Sequence, residues 1–387
     1  MLLGSLSSAS DPAAPVPGFG GPRRILMTAD AVGGVWRWAV DAAAGLNDRG
    51  IEVVLACLGP APDGRHLADV RALSATSLIH VDEPLDWMAA DEADLDGLAG
   101  RLPELVEALD IDLVHLNVPS QAVGLSLPCP VVVVAHSCVA TWFRAVRGTE
   151  PPVAWAWQAD RTRRGLLAAD AVIAPSRSHA AAVEDVYGPL TNLRAVPNAV
   201  RWDVAPAEKR DFVFAAARWW DEGKNGRVLD RAAALSPWPV VMAGSLVSPA
   251  GTATVLNHAE APGELPAAEV RSLMARAGIF VAPSVYEPFG LAPMEAAQAG
   301  CALVCADIPT FREIWDGAAI FADPHDPGRF AGAIARLAAD PELRADFAGR
   351  ARGRAEAYSP DAQIDGLVAV YAEVCRTGSL KHASAAE

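Results

Sequence analysis

Residues 284–300 read SVYEPFGLAPMEAAQAG, and they follow the apolar run GIFVAP at residues 278–283. The apolar run is typical of a strand that is buried on both faces of a parallel sheet. Pro293 suits the first turn of a helix, where its missing N–H would have no partner, and Gly300 suits the position just past a helix end. The segment therefore predicts a buried strand, a tight loop and a short helix, followed by a new strand at residues 302–306.

Two acidic residues flank the predicted start of this helix. Glu287 lies on the loop and Glu295 on the helix, with seven residues between them. Gly290 and Leu291 stand where free backbone N–H groups at a helix N-terminus can bind an anion. Carboxylates accept hydrogen bonds from hydroxyl groups, so the stretch predicts a site for a sugar nucleotide. A strand, loop and helix with surface acids also occurs in many α/β proteins, but here several residue types coincide at fixed spacing.

The stretch resembles the motif of glycosyltransferase family 4, the retaining nucleotide-sugar enzymes of GT-B fold. The pattern Glu-Pro-Phe-Gly-Leu at 287–291, followed by Glu295, is present without a departure. The resemblance assigns Phe289, Gly290 and Leu291 to the donor site. It implies an α/β protein with two Rossmann-like domains that face each other across a deep cleft, and a C-terminal helix that crosses back to the N-terminal domain.

The resemblance also divides the chain into segments. We expect a flexible arm at residues 1–22 and an acceptor-side Rossmann-like domain at residues 23–203. A donor-binding Rossmann-like domain at residues 204–360 follows, and then a crossover helix at residues 361–376 and a loose tail at residues 377–387. At the hinge between the domains, Pro197 and Asn198 match the family, whereas Ala199 replaces its usual glycine. We therefore carry no ligand role onto the hinge.

Composition limits the possible partners of this protein. The 387 residues are 52% hydrophobic, which predicts a globular chain of two or three domains. The net charge of −15 argues against nucleic acid and against anionic membranes as partners. Residues 82–110 are acidic, and we find no basic amphipathic helix of the kind that membrane-active family members carry. Six scattered cysteines without CxxC spacing predict reduced thiols and a cytoplasmic protein.

The first domain opens with a βαβ pattern at residues 23–59, in which Gly33 and Gly34 form the turn. No G-x-G-x-x-G is present, so a dinucleotide site is not indicated. By resemblance, the two glycines face the donor diphosphate and Asp30 faces the cleft. His136 follows the strand VVVV and matches the family's histidine that contacts the transferred sugar or the phosphate, although a lone histidine is more often structural.

A run of tryptophans and arginines follows His136 and is unusual in so acidic a chain. Trp142, Arg144 and Arg147 are its first members. They predict either a wall for the acceptor or an amphipathic helix with inward-packed tryptophans, and both interpretations stay open. Asp110-Ile-Asp112 superficially matches a D-x-D metal motif, but Asp112 opens a predicted strand. A GT-B site uses protein cations in place of metal, so we expect no metal.

The second domain supplies those cations. Arg218 and Lys224 stand six apart after the strand FVFAAA, where paired cations can stabilise a departing diphosphate. The family has the same spacing, and Trp219-Trp220 departs from it only in residue type. By resemblance, the turn at residues 263–265, which includes Glu264 and Leu265, lies under the nucleobase.

These observations predict a retaining glycosyltransferase that moves a sugar from a UDP-, GDP- or ADP-sugar to an acceptor hydroxyl, without a metal or other cofactor. By resemblance, Glu295 holds the ribose hydroxyls, whereas Glu287 contacts the sugar and supports positive charge at its anomeric carbon. The acceptor is a small molecule or a glycan that the sequence does not identify. Two alternatives stay open: an epimerase or hydrolase of nucleotide sugars, and a nucleotide-sugar-binding protein without activity.

Overall fold

The computed structural model describes residues 21–32, 34–201, 207–249 and 251–384, with side chains as far as residue 377. Gly33, most of the predicted arm and the predicted domain boundary at residues 203–204 lie outside the described residues.

The N-terminal domain is built on a parallel sheet of seven strands in the order β3-β2-β1-β4-β5-β6-β7. Its central strands are buried on both faces, and for that reason they read as continuous apolar runs. The strands β1 to β7 are Arg24–Asp30, Glu52–Leu58, Thr76–Val81, Leu113–Leu116, Val131–Val134, Ala171–Ala174 and Leu193–Ala195. The helices α1 to α6 are Gly34–Asn47, Gly64–Arg71, Gly97–Ala108, Val139–Arg147, Ala156–Ala168 and Arg177–Tyr187.

The C-terminal domain repeats this plan with six parallel strands in the order β10-β9-β8-β11-β12-β13. The strands β8 to β13 are Arg210–Ala216, Val240–Ala243, Glu260–Gly263, Ala277–Ala282, Ala302–Ala306 and Ala319–Ala322. The helices α7 to α12 are Gly226–Ala233, Ala267–Arg276, Leu291–Gln298, Pro309–Trp315, Pro327–Ala339 and Pro341–Glu356. Short 3-10 helices lie at Glu92–Leu95, Pro119–Ala122, Val153–Trp155 and Glu222–Lys224. The prediction of two Rossmann-like domains is confirmed.

The last helix, α13 (Pro360–Ser384), packs onto the N-terminal domain, as predicted. Ile364 and Tyr371 are buried in the core beside β1 and α1, and the Tyr371 hydroxyl lies 2.7 Å from Nδ1 of His115. Gly45 permits this close approach, because a Cβ at that position would lie 2.4 Å from Cγ1 of Ile364. The helix continues past the predicted end at residue 376 and reaches Ser384.

The strand order of the two sheets indicates where a ligand site should lie. In each sheet the order reverses beside the first strand, between β1 and β4 and between β8 and β11. A crevice opens at such a switch point, outside the carboxyl ends of the strands, and ligands of α/β proteins bind there. The segments that leave β1, β4 and β5 in one domain and β8 and β11 in the other lie at these two crevices.

Candidate active site

The loop that leaves β11 runs from residue 283 to residue 290 and ends at the start of α9. Gly290 has a φ of +98°, and a Cβ there would lie 2.9 Å from the ring of Phe311. Only glycine adopts this left-handed conformation without strain in such a confined space. Phe289 is buried, and its ring packs edge-on against Tyr358 at 5.7 Å. The Phe289 side chain thus anchors the loop, and Pro293 lies in the first turn of α9, as predicted.

Lys224 and Glu287 form an ion pair in the C-terminal domain. Nζ of Lys224 donates a hydrogen bond of 2.6 Å to Oε2 of Glu287, and the two side chains are only 18% and 17% exposed. The backbone N–H groups of Val285 and Tyr286 donate to the carbonyl of Gly223, which ties the two loops together. The structure therefore brings together two residues that the sequence assigned to the site from separate motifs, and their contact with a donor stays a prediction.

Arg218, the other predicted cation, is exposed, and its guanidinium lies 5.5 Å from the centre of the Trp220 ring. Trp219 instead enters the core, where Nε1 donates to the carbonyl of Ala243 at 2.8 Å. The two tryptophans that depart from the family pattern therefore have different positions. One is a core residue, and the other lies against the arginine.

Glu295 is half-buried on α9, and burial raises the pKa of its carboxyl group to about 7. The positive charges of Arg271 and of Arg37 on α1 act in the opposite direction. Gly263, in the predicted nucleobase turn, has a φ of +79°, and its carbonyl accepts a hydrogen bond of 2.8 Å from the N–H of Gly244. Glu264 and Leu265 follow Gly263 within this predicted turn.

In the N-terminal domain, His136 lies two residues after β5, at the carboxyl edge of the sheet. Its Nε2 is 2.8 Å from Oδ1 of Asn117, which directly follows β4. The ring of Trp38 meets the His136 ring edge-on at 4.9 Å. Burial, together with His115 and His179 nearby, lowers the pKa of His136 to about 3.

The predicted diphosphate contacts of this domain lie at the start of α1. Asp30 ends β1 and accepts a hydrogen bond of 3.0 Å from the N–H of Val32. Gly34 begins α1, and no atom lies within 4 Å of the position that a Cβ would take there. The space beside Gly34 is therefore not filled by other residues, and its contact with a diphosphate stays a prediction.

The predicted acceptor residues on α4 take part in the contact between the domains. Nε1 of Trp142 donates to Asp221 at 2.9 Å, and Arg147 forms an ion pair with Glu222 at 2.7 Å. Arg144 is directed elsewhere and lies 3.5 Å from Asp185 and 3.9 Å from Glu150 of its own domain. The structure thus gives Trp142 and Arg147 a linking role, and their contact with an acceptor stays a prediction.

Further N-terminal side chains reach the loop that carries Glu287. The hydroxyl groups of Thr141 and Tyr286 share a hydrogen bond of 2.8 Å, and Ser176 donates to the carbonyl of Pro288 at 2.7 Å. Ser176 also caps α6, where its side chain accepts a hydrogen bond from the N–H of His179. The sequence did not identify Thr141, Ser176, Tyr286 or Asn117 as site residues. Only Asn117 had a usable signal, because it directly follows a central strand at the switch point.

The superficial D-x-D motif has a structural role. The carboxylate of Asp112 accepts hydrogen bonds from the N–H groups of Arg23 and Arg24, at 2.8 and 2.9 Å, beside β1. Within the described residues, no group of three or more His, Cys, Asp or Glu side chains is placed to hold a metal ion. In the same part of the chain, no helix has the length and apolar character needed to cross a membrane.

Two family models match consecutive parts of the chain. Residues 32–203 match Glycosyltransferase Family 4, and residues 200–354 match Glycosyl transferases group 1. The chain belongs to the family 4 glycosyltransferases. The family predicted from residues 284–300 is confirmed.

Solved structures confirm the GT-B fold of this glycosyltransferase. Sucrose-phosphate synthase from Thermosynechococcus elongatus superimposes with a TM-score of 0.75 over 92% of this chain and 100% of that chain, at 15% identity. Anabaena Alr3699/HepE, solved in complex with UDP and glucose, gives 0.68 over 91% and 100%, at 16% identity. At such low identity these similarities show the fold alone.

Among curated relatives, the D-inositol 3-phosphate glycosyltransferase of Salinispora arenicola is 31% identical over 222 residues, which are 55% of this chain and 45% of that protein. The matches to the first curated relatives cover less than two thirds of the relatives' own length. These relatives therefore support the family of this glycosyltransferase, whereas its donor and acceptor are matters for a proposal.

Proposed function

We propose that this glycosyltransferase moves a sugar from a nucleotide-diphosphate sugar to an acceptor hydroxyl with retention of anomeric configuration and without a metal. The observation that carries this proposal is the ion pair of Lys224 and Glu287, only partly exposed beside the N-terminus of α9. A cation and a carboxylate held together at a helix start suit a ligand that has both phosphate and hydroxyl groups.

The leaving diphosphate would be stabilised by charge. Lys224, Arg218 and the first backbone N–H groups of α9, at Leu291 and Ala292, supply positive potential where negative charge develops as the glycosidic bond breaks. The side chain of Arg218 is exposed and can turn toward a phosphate. Protein cations would thereby take the role that a metal ion has in other transferases, and neither Asp110 nor Asp112 is needed.

The two carboxylates have different environments, which suit different roles. Glu287 is paired with Lys224 at 2.6 Å, which makes its carboxylate a weaker nucleophile, so it is better suited to bind sugar hydroxyls and to stabilise positive charge than to attack the anomeric carbon. This supports a retaining reaction in which the leaving phosphate acts as the base. Among the described residues, no group donates a hydrogen bond to the Glu295 carboxylate, which can accept both hydroxyls of a ribose.

UDP-glucose is the first donor to test, because the structurally similar Anabaena protein was solved in complex with UDP and glucose. D-inositol 3-phosphate and glycogen are the first acceptors, because the names of curated relatives contain D-inositol 3-phosphate and glycogen synthase. The six cysteines are free thiols, which supports the predicted reducing, cytoplasmic setting.

The experiment determines whether sugar is transferred and with which anomeric configuration. The purified chain is incubated with UDP-, GDP- and ADP-sugars and each acceptor, with and without EDTA, and proton NMR records the configuration of the new glycosidic bond. We expect a product with the donor's anomeric configuration, formed at the same rate in EDTA. An inverted product, or activity that is lost in EDTA and restored by manganese, would contradict the proposal.

Two other outcomes would identify the alternatives. Free sugar formed without any transfer would indicate a hydrolase, and a new nucleotide sugar would indicate an epimerase. Binding of a nucleotide sugar, detected as a rise in melting temperature, without turnover with any acceptor would favour a binding protein.

A further inference from the structure

A chain of buried hydrogen bonds lies behind His136 and takes no part in the roles described so far. Asn117 contacts His136 on one side and Thr28 of β1 on the other. Thr28 in turn bonds to Gln121, its hydroxyl lying 2.7 Å from Oε1 of that side chain. Thr28, Asn117 and Gln121 are all buried, so water does not compete for these bonds.

The direction of each hydrogen bond follows from the backbone groups in this chain, because a backbone carbonyl can only accept and a backbone N–H can only donate. Nδ2 of Asn117 lies 2.5 Å from the backbone carbonyl of Thr28, and a carbonyl can only accept a hydrogen bond. The carboxamide nitrogen therefore faces Thr28, and the carboxamide oxygen faces His136. The Thr28 hydroxyl accepts from the backbone N–H of Asn117 at 2.9 Å, and so it donates its own hydrogen to Gln121.

This orientation decides which nitrogen of His136 carries the hydrogen. The Asn117 oxygen can only accept, so Nε2 of His136, at 2.8 Å, must be the donor. In a neutral imidazole the other nitrogen, Nδ1, then has a free lone pair. Among the described residues, nothing forms a hydrogen bond to Nδ1, and the His136 side chain is only partly buried at the carboxyl edge of the sheet.

The surroundings of His136 keep the ring neutral. The other titratable side chains that face it are His115 on β4 and His179 on α6, and burial lowers the pKa of each to about 4. The ring edge of Trp38 on α1 covers a further side. Burial and these neighbours lower the pKa of His136 itself to about 3, so it is neutral near pH 7.

We propose that Asn117 is a positioning residue that fixes His136 as the Nε2–H tautomer, so that Nδ1 accepts a hydrogen bond from a hydroxyl group of the bound sugar. The assignment of that hydroxyl to the sugar rests on the proposed function, whereas the tautomer does not. His136 in this form has no proton to give at Nδ1, and it selects for a hydroxyl donor at that point. It cannot act there as a general acid.

The tautomer is measured directly on the wild-type protein. Two-dimensional NMR of histidine labelled with 15N distinguishes a protonated from an unprotonated ring nitrogen, and the spectrum of His136→Gln identifies the signals of His136. Without any ligand at pH 7, we expect a protonated Nε2 and an unprotonated Nδ1. A hydrogen on Nδ1, or on both nitrogens, would overturn the proposal whether or not the protein transfers sugar.

Two variants in the same chain separate positioning from general stability. Asn117→Leu removes the acceptor, and we expect the hydrogen to move to Nδ1, where water can bind it, with a loss of about tenfold in kcat/KM for one hydrogen bond. Gln121→Met removes a buried partner of Thr28 but leaves Asn117 in place, so the wild-type tautomer should persist. An equal shift of tautomer in both variants would overturn the role of Asn117.

Titration with ligands tests the acceptor role of Nδ1. UDP-glucose should move the 15N signal of Nδ1 toward that of a hydrogen-bonded nitrogen, whereas UDP should leave it unchanged. If UDP-glucose binds and Nδ1 does not respond, the contact with a sugar hydroxyl is wrong. If no nucleotide sugar binds, the proposed function fails, and the spectrum of the free protein still decides the tautomer.

Discussion

Replacement of Glu295 by glutamine should make the ligand-free protein more stable at alkaline pH. Burial of this carboxyl group on α9 raises its pKa from 4.5 to about 7, although the positive charges of Arg271 and Arg37 lower the pKa in part. The folded protein therefore favours the protonated acid, which glutamine imitates in size and in its lack of charge. Burial therefore disfavours the charged carboxylate of Glu295, and we expect that this unfavourable group serves to bind the donor.

The magnitude follows from the two pKa values. A difference of about 2.5 in pKa corresponds to about 3–4 kcal/mol, at about 1.4 kcal/mol for each unit. Because the folded pKa is the higher one, this contribution to the free energy of unfolding is fully present below the unfolded pKa. It is lost as pH rises through the folded pKa. Wild-type Glu295 thus costs about 3 kcal/mol at pH 8 and less than about 1 kcal/mol at pH 5.

Urea unfolding at pH 5 and pH 8 measures this difference. The Glu295→Gln protein should exceed the wild type by about 3 kcal/mol at pH 8 and nearly equal it at pH 5. The control is Glu107→Gln on α3, an exposed glutamate whose replacement should change little at either pH. An equal effect of Glu295→Gln at both pH values would refute the burial argument. Donor affinity of the wild type should rise with pH up to about 7, and this dependence should disappear in the variant.

Three further experiments test the loops around the ion pair. Lys224→Ala should reduce kcat/KM by ~2–4 kcal/mol of transition-state stabilisation, and an unchanged rate would remove Lys224 from the diphosphate clamp. Gly290→Ala should lower the free energy of unfolding by about 1–3 kcal/mol, because its φ is +98° and a buried ring blocks the Cβ. Gly332→Ala, in an open position of α11, should not lower it. A double-mutant cycle of Thr141→Val and Tyr286→Phe should give a coupling of about 1 kcal/mol, whereas additivity would show that their hydrogen bond does not join the domains.

The central strands and the donor loop could be predicted because their signals are local. A strand buried on both faces must be apolar throughout, and β5 and β11 are. Gly290 and Gly300 both adopt positive φ, which few other residues tolerate. Two edge strands were not predicted, because their residues show no continuous apolar run. β3 is mostly half-exposed, and β10 has the sequence EAPG, so neither shows a run of buried residues.

The contacts between the domains could not be predicted, because nothing in a residue type identifies a distant partner. The sequence left two interpretations open for Trp142 and Arg147, an acceptor wall or a packed amphipathic helix. The structure shows a third arrangement, in which both side chains bond to acidic residues of the other domain. Asp221 and Glu222 lie 75 or more positions further along the chain. In the sequence, nothing distinguished these two acidic residues from others that are simply exposed to solvent.

These contacts between the domains are relevant to catalysis because they reach residues close to Lys224 and Glu287. Trp142 and Arg147 bond to the two residues at 221–222, just before Lys224, whereas Thr141 and Ser176 bond on either side of Glu287. Any movement of one domain against the other must therefore act on the backbone that holds the ion pair. A substitution on α4 that disrupts these bonds should lower kcat through the geometry of Lys224 and Glu287, even if it leaves affinity for the acceptor unchanged. The N-terminal domain would then do more than bind the proposed acceptor, since it would also set the arrangement of the charged groups that we propose to stabilise the leaving diphosphate.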